Sequence, residues 1–553
     1  MAVGTERVID THVLIIGGGI AGLLASITAR KSGVDVVLAS KGPAGRSGSS
    51  VVAAGTYLGY EPSDDLAAYV RNACETSHFL DDREMLELIV PVCYELRLRF
   101  EGWGLEWEKK DGQFVRKAGL GQKEMRNIYF HGGRQLMSIL RGEAVRAGTR
   151  IMDRVMVTDL LTSDGKLPTD GKVIGAVGLN VRDGGFYVFR AKSVIMTAGD
   201  WGMGEALTGD LTGDGQAATW RAGAQMRSME QLGYTIAPKR FLSMPGLHPI
   251  TGHGGRLVNA RGERFMEKYH PELLERAPRA VLVQGVAREI KEGRGPVYMD
   301  CRHFSKEELA RMAQVIPHTI AAFNRVGIDL SRDLVEYVPA SNGNVPAGGI
   351  RVNKNCETTV DGLFCAGGAS DRMYAGLVGL AGASVLGWRA GGIAADYARS
   401  SVTNEPKQQQ VSEFKNQVYA PLQRSNGTSP RDLFEEVRQI VNERIGVLKH
   451  GSRLQEAVQL LELTRTEKLT RIGARDSHTL MRANEMRNIV EMAELIARTS
   501  LLRTESRYMN FREDHPERDD INWLKWTIAR LEGDGTPKIW TEDIPAMGGV
   551  QWR

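Results

Sequence analysis

The stretch "THVLIIGGGIAGLLASITARKSGVDVVLAS" (Thr11–Ser40) limits the fold more than any other part of the chain. Val13, Leu14, Ile15 and Ile16 form a continuous apolar run of the kind that a parallel strand buried on both faces requires. Gly17, Gly19 and Gly22 follow in G-x-G-x-x-G order; Leu23, Leu24, Ile27 and Ala29 begin a helix, and Val34, Val36, Val37 and Leu38 form the next strand. In such a unit Gly17 permits the turn, Gly19 lets a diphosphate reach the backbone, and Gly22 lets helix and strand pack closely. The diphosphate then sits on the positive end of the helix. With both flanking elements in place, the motif predicts an α/β, Rossmann-like, dinucleotide-binding domain.

The acidic residue that commonly closes the second strand is absent. The chain reads "VVLASKGPAGRSGSS" there, a long small-residue loop with cations at Lys41 and Arg46. Two later segments return to the same domain. "AKSVIMTAGDWG" is a strand ending in Ala198 and Gly199, with Asp214 in the "TGDGQAATWRAGA" that follows; "TTVDGLFCAGGAS" ends in Gly367 and Gly368 and leads to "GLAGASVLGWRAGGIAA", which contains Ser384. A ligand met from sites so far apart is long, and FAD fits. The 63 glycines, roughly 11% of 553 residues against an average of about 7%, cluster at these strand-to-helix junctions.

The segments divide the chain into a first FAD-binding part (1–232), an inserted α+β capping domain (233–344), a second FAD-binding part (345–398), a helical domain (411–520) and a C-terminal tail (521–553). In the helical part Ser452 and Gln455 read as a capping box, and Met486 and Met492 as core packing. A net charge of +4 with interspersed signs gives no nucleic-acid footprint. Cys74, Cys93, Cys301, Cys356 and Cys365 show no C-x-x-C spacing, which argues against a structural zinc or an iron–sulfur cluster in this chain and for a reduced, cytoplasmic setting. No metal site is expected. Nor is a membrane span, since no run of about 20 apolar residues occurs.

With the fingerprint, "ASKGPAGRSGSS", "TGDG" and "GLFCAGG" assembled, the chain resembles the flavoprotein subunits of the succinate dehydrogenase and fumarate reductase superfamily over nearly its whole length, including "RTESRYMNFREDHPERDDINW". "FEGWGLEWEKKDGQFVRKAG", "GGFYVFRAKSVIMTAG" and "ARDSHTLMRANEM" are most similar to the adenylylsulfate reductase alpha-subunit branch. The resemblance implies that Ser40 bonds the adenosine ribose, that Asp214 lies near the adenosine and that Ser384 lies near the flavin end. It places Lys41, Arg46, Ser47, Gly48, Ser49, Ala198, Gly199, Gly367 and Gly368 along the cofactor, with Gly368 standing where the family has a glutamate. Respiratory members attach flavin covalently through a histidine in the serine loop; the absence of one here implies noncovalent FAD.

For the chemistry, the resemblance assigns Arg279 of the cap as the proton-donating or anion-holding cation. The dicarboxylate clamp of the family is not kept. Its histidine falls near Tyr234 and Thr235, its glutamate at His253, its second arginine at Gly379 and its second histidine near Asn344. Fumarate or succinate is therefore disfavoured. The adenylylsulfate branch's histidine and asparagine are missing as well, from "SDRMYAGLVG" and "GTYLGY". Among the available imidazoles, His253, flanked by glycines, is the candidate for a substrate-facing role, and His131 and His248 read as structural. Three readings remain: an FAD oxidoreductase that passes two electrons between a small anionic or acyl substrate and a ferredoxin-like iron–sulfur protein, an adenylylsulfate reductase proper, and a flavin relay protein without its own substrate.

Overall fold

The computed structural model describes residues 6–203, 209–241, 247–341, 348–371, 377, 379–424 and 426–545. Its largest sheet runs, edge to edge, Arg150–Asp153, Val36–Ser40, Glu6–Ile16, Phe186–Met196, Val173–Asn180 and Val155–Thr162, and Leu363–Cys365 also pairs with the end of Phe186–Met196. The first four strands and Leu363–Cys365 are parallel; the last two add antiparallel. The first strand begins at Glu6, not at the apolar run. Backbone pairing from Glu6↔Phe186 to Ile16↔Met196 extends it beyond what hydrophobicity marks, and Val8 is accordingly 52% exposed.

Helix Ile20–Lys31 packs against helix Gly379–Ser400 through small residues. A Cβ at Gly387 would lie 2.4 Å from the Ala21 carbonyl oxygen, and one at Gly391 would lie 2.2 Å from that of Ala25. This contact draws the third glycine junction over the first.

The inserted segment forms its own antiparallel sheet in the order Tyr234–Pro238, Val335–Ser341, Val297–Asp300, Arg256–Val258, with helix Arg279–Lys291 against it. Helices Gln408–Tyr419, Pro430–Ile440, Gly451–Leu463 and Ser477–Leu502 make the C-terminal helical part, where Met486 and Met492 are buried in the core. The expected capping box at Ser452 is not formed. His450 is the N-cap and accepts from the Ser452 N–H, because the short strand Leu448–Lys449 carries the chain into the helix two residues earlier.

Within the expected tail, residues 525–531 and 537–543 are strands. Lys525–Leu531 and Pro537–Asp543 form a hairpin that joins Met226–Arg227 and Gly349–Ile350 in one four-stranded sheet, so the C-terminus pairs with strands on both sides of the cap insertion. Trp526, Thr527, Ile528 and Ala529 are all buried, so this strand is covered on both faces.

Beneath the hairpin lies a buried ionic core. Arg503 donates to Glu230 (2.8 Å) and Glu505 (2.7 Å), and Arg507 donates to the same Glu505 oxygen (2.6 Å); all four side chains are 0% exposed. Glu505 is shared by both guanidinium groups, and removing its charge leaves Arg503 with Glu230 and Arg507 with Asp520 as the remaining carboxylate partners in a low dielectric. Glu505→Gln is expected to lower stability by about 3–5 kcal/mol, measured as a drop in the denaturant midpoint.

Candidate functional site

The turn after the first strand has the geometry of a diphosphate cradle. Gly17 has φ +115, and a Cβ on it would lie 2.3 Å from the Thr197 carbonyl oxygen. At Gly22 a Cβ would lie 2.0 Å from the Gly17 carbonyl oxygen and 2.7 Å from Thr197 Oγ1, so helix and strand touch there. Gly19 differs: the nearest atom to its Cβ position is Ser50 Oγ at 3.5 Å, and space lies beyond. Gly19 is also the N-cap of helix Ile20–Lys31, which has no side-chain cap bond at Gly19 and no acid in its first turn. The N–H groups of such an acid-free helix start are the donor set a diphosphate needs.

The serine loop is anchored onto this turn. Gly45 N–H donates to the Gly18 carbonyl (2.8 Å), Asp153 accepts from Ala44 N–H (2.7 Å), and Arg141 spans Asp153 (2.9 Å) and the Ala44 carbonyl (2.6 Å). Ser50 accepts the Ile20 N–H at 3.2 Å. Buried Ser40 lies beside Gly18, whose Cβ would be 2.9 Å from Ser40 Oγ. Ser47 spends its hydroxyl on the Pro43 carbonyl (3.0 Å), Gly48 (φ +81) borders open space, Ser49 is partly buried and Arg46 is exposed.

Two expected cofactor contacts meet each other. Lys41 Nζ donates to Asp214 Oδ2, Glu485 Oε1 and Thr212 Oγ1, each at 2.7 Å, while Asp214 Oδ1 takes Thr212 (2.9 Å) and Asn488 (2.9 Å). Burial disfavours the Lys41 charge, yet the carboxylates of Asp214 and Glu485 outweigh it and raise its pKa. The pair therefore clasps helix Ser477–Leu502 to the cofactor domain, and neither residue presents a free charge. Ser384 likewise has protein partners. It is 0% exposed, its hydroxyl shared with the Tyr57 hydroxyl (2.7 Å) and the Ala381 carbonyl (2.7 Å), because helix packing turns it onto strand Thr56–Leu58.

Ala198, Gly199 (φ +80), Gly367 (φ +77) and partly buried Gly368 end the other two strands of the ligand edge, and Gly367 packs on Ala21 at the start of the diphosphate helix. Gly18, Thr197, Ser50, Glu485 and Asn488 are not legible as site residues from sequence. The run of three glycines is the available signal for Gly18; nothing local marks the others.

Arg279 is the first residue of helix Arg279–Lys291, which has no acid in its first turn. Pro278 packs on Gly121 of the FAD-binding part, and Gly121 N–H donates to the Arg276 carbonyl (3.1 Å), fixing the helix start at the domain boundary. Burial lowers the Arg279 pKa, and Tyr508 acts in the opposite direction. A cation at a helix start opposes the dipole; the two positive fields together favour an anion. His253 follows helix Leu247–Gly252 and is partly buried. His303 Nε2 bonds the neighbouring Gly254 carbonyl at 3.0 Å. His131 is exposed; the His248 side chain and Asn344 lie outside the described residues.

A partly buried imidazole, His78, accepts the Tyr508 N–H at its Nδ1 (3.1 Å). Burial pushes His78 down to about 4, with Arg518 and Arg507 adding to it. Since the unfolded chain takes a proton near pH 6.5, stability present above that pH is lost as pH falls toward 4, by on the order of 3 kcal/mol. Asp371, pushed up to about 6 by burial despite Arg227, has the opposite slope. The measurement is therefore a difference: from pH 6.5 to 4 the wild type loses thermal stability relative to His78→Asn.

Among the described residues no three His, Cys, Asp or Glu are grouped to hold a metal ion, and no helix is long and apolar enough to cross a membrane. All five cysteines are buried, and burial raises each thiol above its ordinary pKa.

Residues 12–385 match the family model described as "FAD binding domain", and residues 434–547 match "Fumarate reductase flavoprotein C-term". A fumarate reductase (CoM/CoB) subunit of Methanothermobacter marburgensis is 28% identical over 92% of this chain and 95% of its own. FrdA of Escherichia coli quinol fumarate reductase superposes with a TM-score of 0.89 at 24% identity, covering 98% of each chain. Adenylylsulfate reductase of Archaeoglobus fulgidus superposes with a TM-score of 0.85 at 24% identity, covering 100% of this chain and 98% of its own. At equal identity the two superpositions show the fold and do not separate the branches. The glycine cradle, the cap and the C-terminal helices, matched by both family models, make this chain an FAD-dependent oxidoreductase of the family of fumarate reductase and succinate dehydrogenase flavoproteins.

Proposed function

We propose that this flavoprotein exchanges two electrons between a small anionic or acyl substrate and a separate iron–sulfur protein. FAD, when bound, supplies the two-electron chemistry; the protein chooses its target. The single observation that carries the substrate class is Arg279, a partly buried cation at an acid-free helix start, where guanidinium and helix dipole both attract an anion. Arg279 holds the anionic group and excludes its water shell. His253, on the glycine-flanked turn before cap strand Arg256–Val258, is the proposed proton carrier.

The five cysteines have no C-x-x-C spacing of the kind that cluster ligands use, which supports an external carrier. The marburgensis relative is itself named as one subunit of its enzyme. FAD is held without a covalent bond, since residues Lys41–Ser50 contain no histidine; acid precipitation is expected to release all flavin into the supernatant.

Anaerobic mixing with enoates, 2-hydroxy acids, acyl thioesters, and sulfite plus AMP tests the reading. One class bleaches the oxidised-flavin band within seconds. If none does while reduced ferredoxin bleaches it, the protein is a relay and the proposal is wrong.

A further inference from the structure

A cavity that includes neither the glycine cradle nor Arg279 among its lining residues encloses about 310 Å³ at the end of helix Asp214–Arg221. That volume is at the lower end of the roughly 300–1,000 Å³ of small-molecule sites. Its walls come from three parts of the chain. Trp220 belongs to the FAD-binding part, Phe414 and Leu495 to helices Gln408–Tyr419 and Ser477–Leu502, and Pro537 to the C-terminal hairpin. Trp220, Phe414 and Leu495 are buried, so core packing holds the apolar wall in place.

One helix sets the polar wall. Glu491 and Glu494 both line the cavity, and their spacing of three residues on Ser477–Leu502 puts about 5–6 Å between their Cβ atoms. Glu491 accepts from Arg221 (2.6 Å) and Arg487 (3.2 Å), and Glu494 from Arg465 (2.8 Å) and Arg498 (2.9 Å), in each case on separate oxygens. The carboxylates are therefore satisfied, and so is Arg221, which also donates to Asp159 (2.8 Å), Asn488 (3.0 Å) and the Thr158 carbonyl (2.7 Å). The other two cations lining the cavity are not. Among the described residues Arg465 is bonded through Nε alone, to Glu494, and Arg487 has only the Glu491 bond and a long one to Asp159 (3.4 Å). Spare donors beside apolar walls, with the acceptors already used, select a ligand that brings its own acceptors on an apolar body.

We propose that this cavity is a small-molecule site for an apolar monocarboxylate, whose ring or chain lies against Trp220 and Phe414 and whose carboxylate spans Arg465 and Arg487. Two guanidinium groups held by carboxylates one helical turn apart can each give one oxygen of such a ligand a charge-assisted hydrogen bond. Because the walls belong to three parts of the chain, the bound ligand joins them and stabilises the folded protein by mass action.

The probe is naphthalene-2-carboxylate, titrated into FAD-loaded protein by calorimetry, with the melting temperature as a second readout. One molecule is expected to bind per chain, and the melting temperature to rise with its concentration. Naphthalene-2-carboxamide, similar in shape and uncharged, binds at least about tenfold more weakly, and Arg465→Ala weakens the carboxylate about tenfold, the loss of a hydrogen bond between charged groups. Flavin content stays at the wild-type level in Arg465→Ala, and Arg279→Ala leaves the binding of the probe unchanged. Absence of saturable binding, equal binding of the carboxamide, or an unchanged dissociation constant in Arg465→Ala overturns the proposal. So does loss of binding in Arg279→Ala, which puts the probe under the cap. If Arg465→Ala is itself unstable, Arg487→Gln is carried through the same titrations with the same loss expected.

Discussion

Gly22→Ala is expected to purify without flavin. The added methyl group would lie 2.0 Å from the Gly17 carbonyl oxygen and 2.7 Å from Thr197 Oγ1. The first of these is backbone, and it belongs to the turn that must hold the diphosphate. Thr197 cannot retreat either, since its hydroxyl is bonded to the Ile16 and Gly17 carbonyls at 3.0 Å. The helix must therefore lift from the strand, at a cost of roughly 1–3 kcal/mol in overpacking, and its N–H groups lose their aim. A fall in FAD affinity of at least about 100-fold follows, some 2.7 kcal/mol. Gly392→Ala is the control. It lies in helix Gly379–Ser400 with nothing within 4 Å of its Cβ position, so it keeps full flavin. Flavin-to-protein ratios measure both, and wild-type flavin content in Gly22→Ala would refute the cradle.

The second large effect is at Arg279. Arg279→Ala removes the cation at the start of the cap helix, and substrate-driven flavin reduction is expected to slow by about 10²–10³-fold, the magnitude seen when one preorganised donor to developing charge is lost. Arg279→Lys recovers only part of this, because an ammonium lacks the planar fork. Reduction by dithionite, which needs no cap, stays at the wild-type rate. Stopped-flow reduction under anaerobic conditions separates these outcomes. Equal substrate rates in wild type and Arg279→Ala would remove Arg279 from the chemistry.

The local grammar of the site is readable from sequence. Gly17 and Gly22 do what their spacing predicts because a turn and a helix–strand contact depend on nearby strand and helix residues. Lys41 makes ion pairs that are not legible in the sequence, because its partners, Asp214 and Glu485, lie 173 and 444 positions away. In the sequence it is a basic residue in a ligand loop; in the fold it is the centre of an ion pair that clasps two domains. Ser384 sits in the expected helix, but its direction depends on Tyr57, which packing brings against it from 327 positions away.

The amino-acid order alone therefore determined the class of fold, the diphosphate turn, the cofactor type and the position of Arg279 in an inserted cap. The fold class and the turn follow from short-range sterics and from apolar periodicity, which act on any chain with this pattern; the length of the cofactor follows from three separate glycine junctions, and the place of Arg279 was implied by the family resemblance. Tertiary structure decided which charges are spent on the protein itself and that residues 525–543 return as a hairpin onto the strands that flank the cap insertion. The physical reason is that ion pairs and buried hydrogen bonds depend on distance in space, and only the packed chain brings those groups within reach of one another.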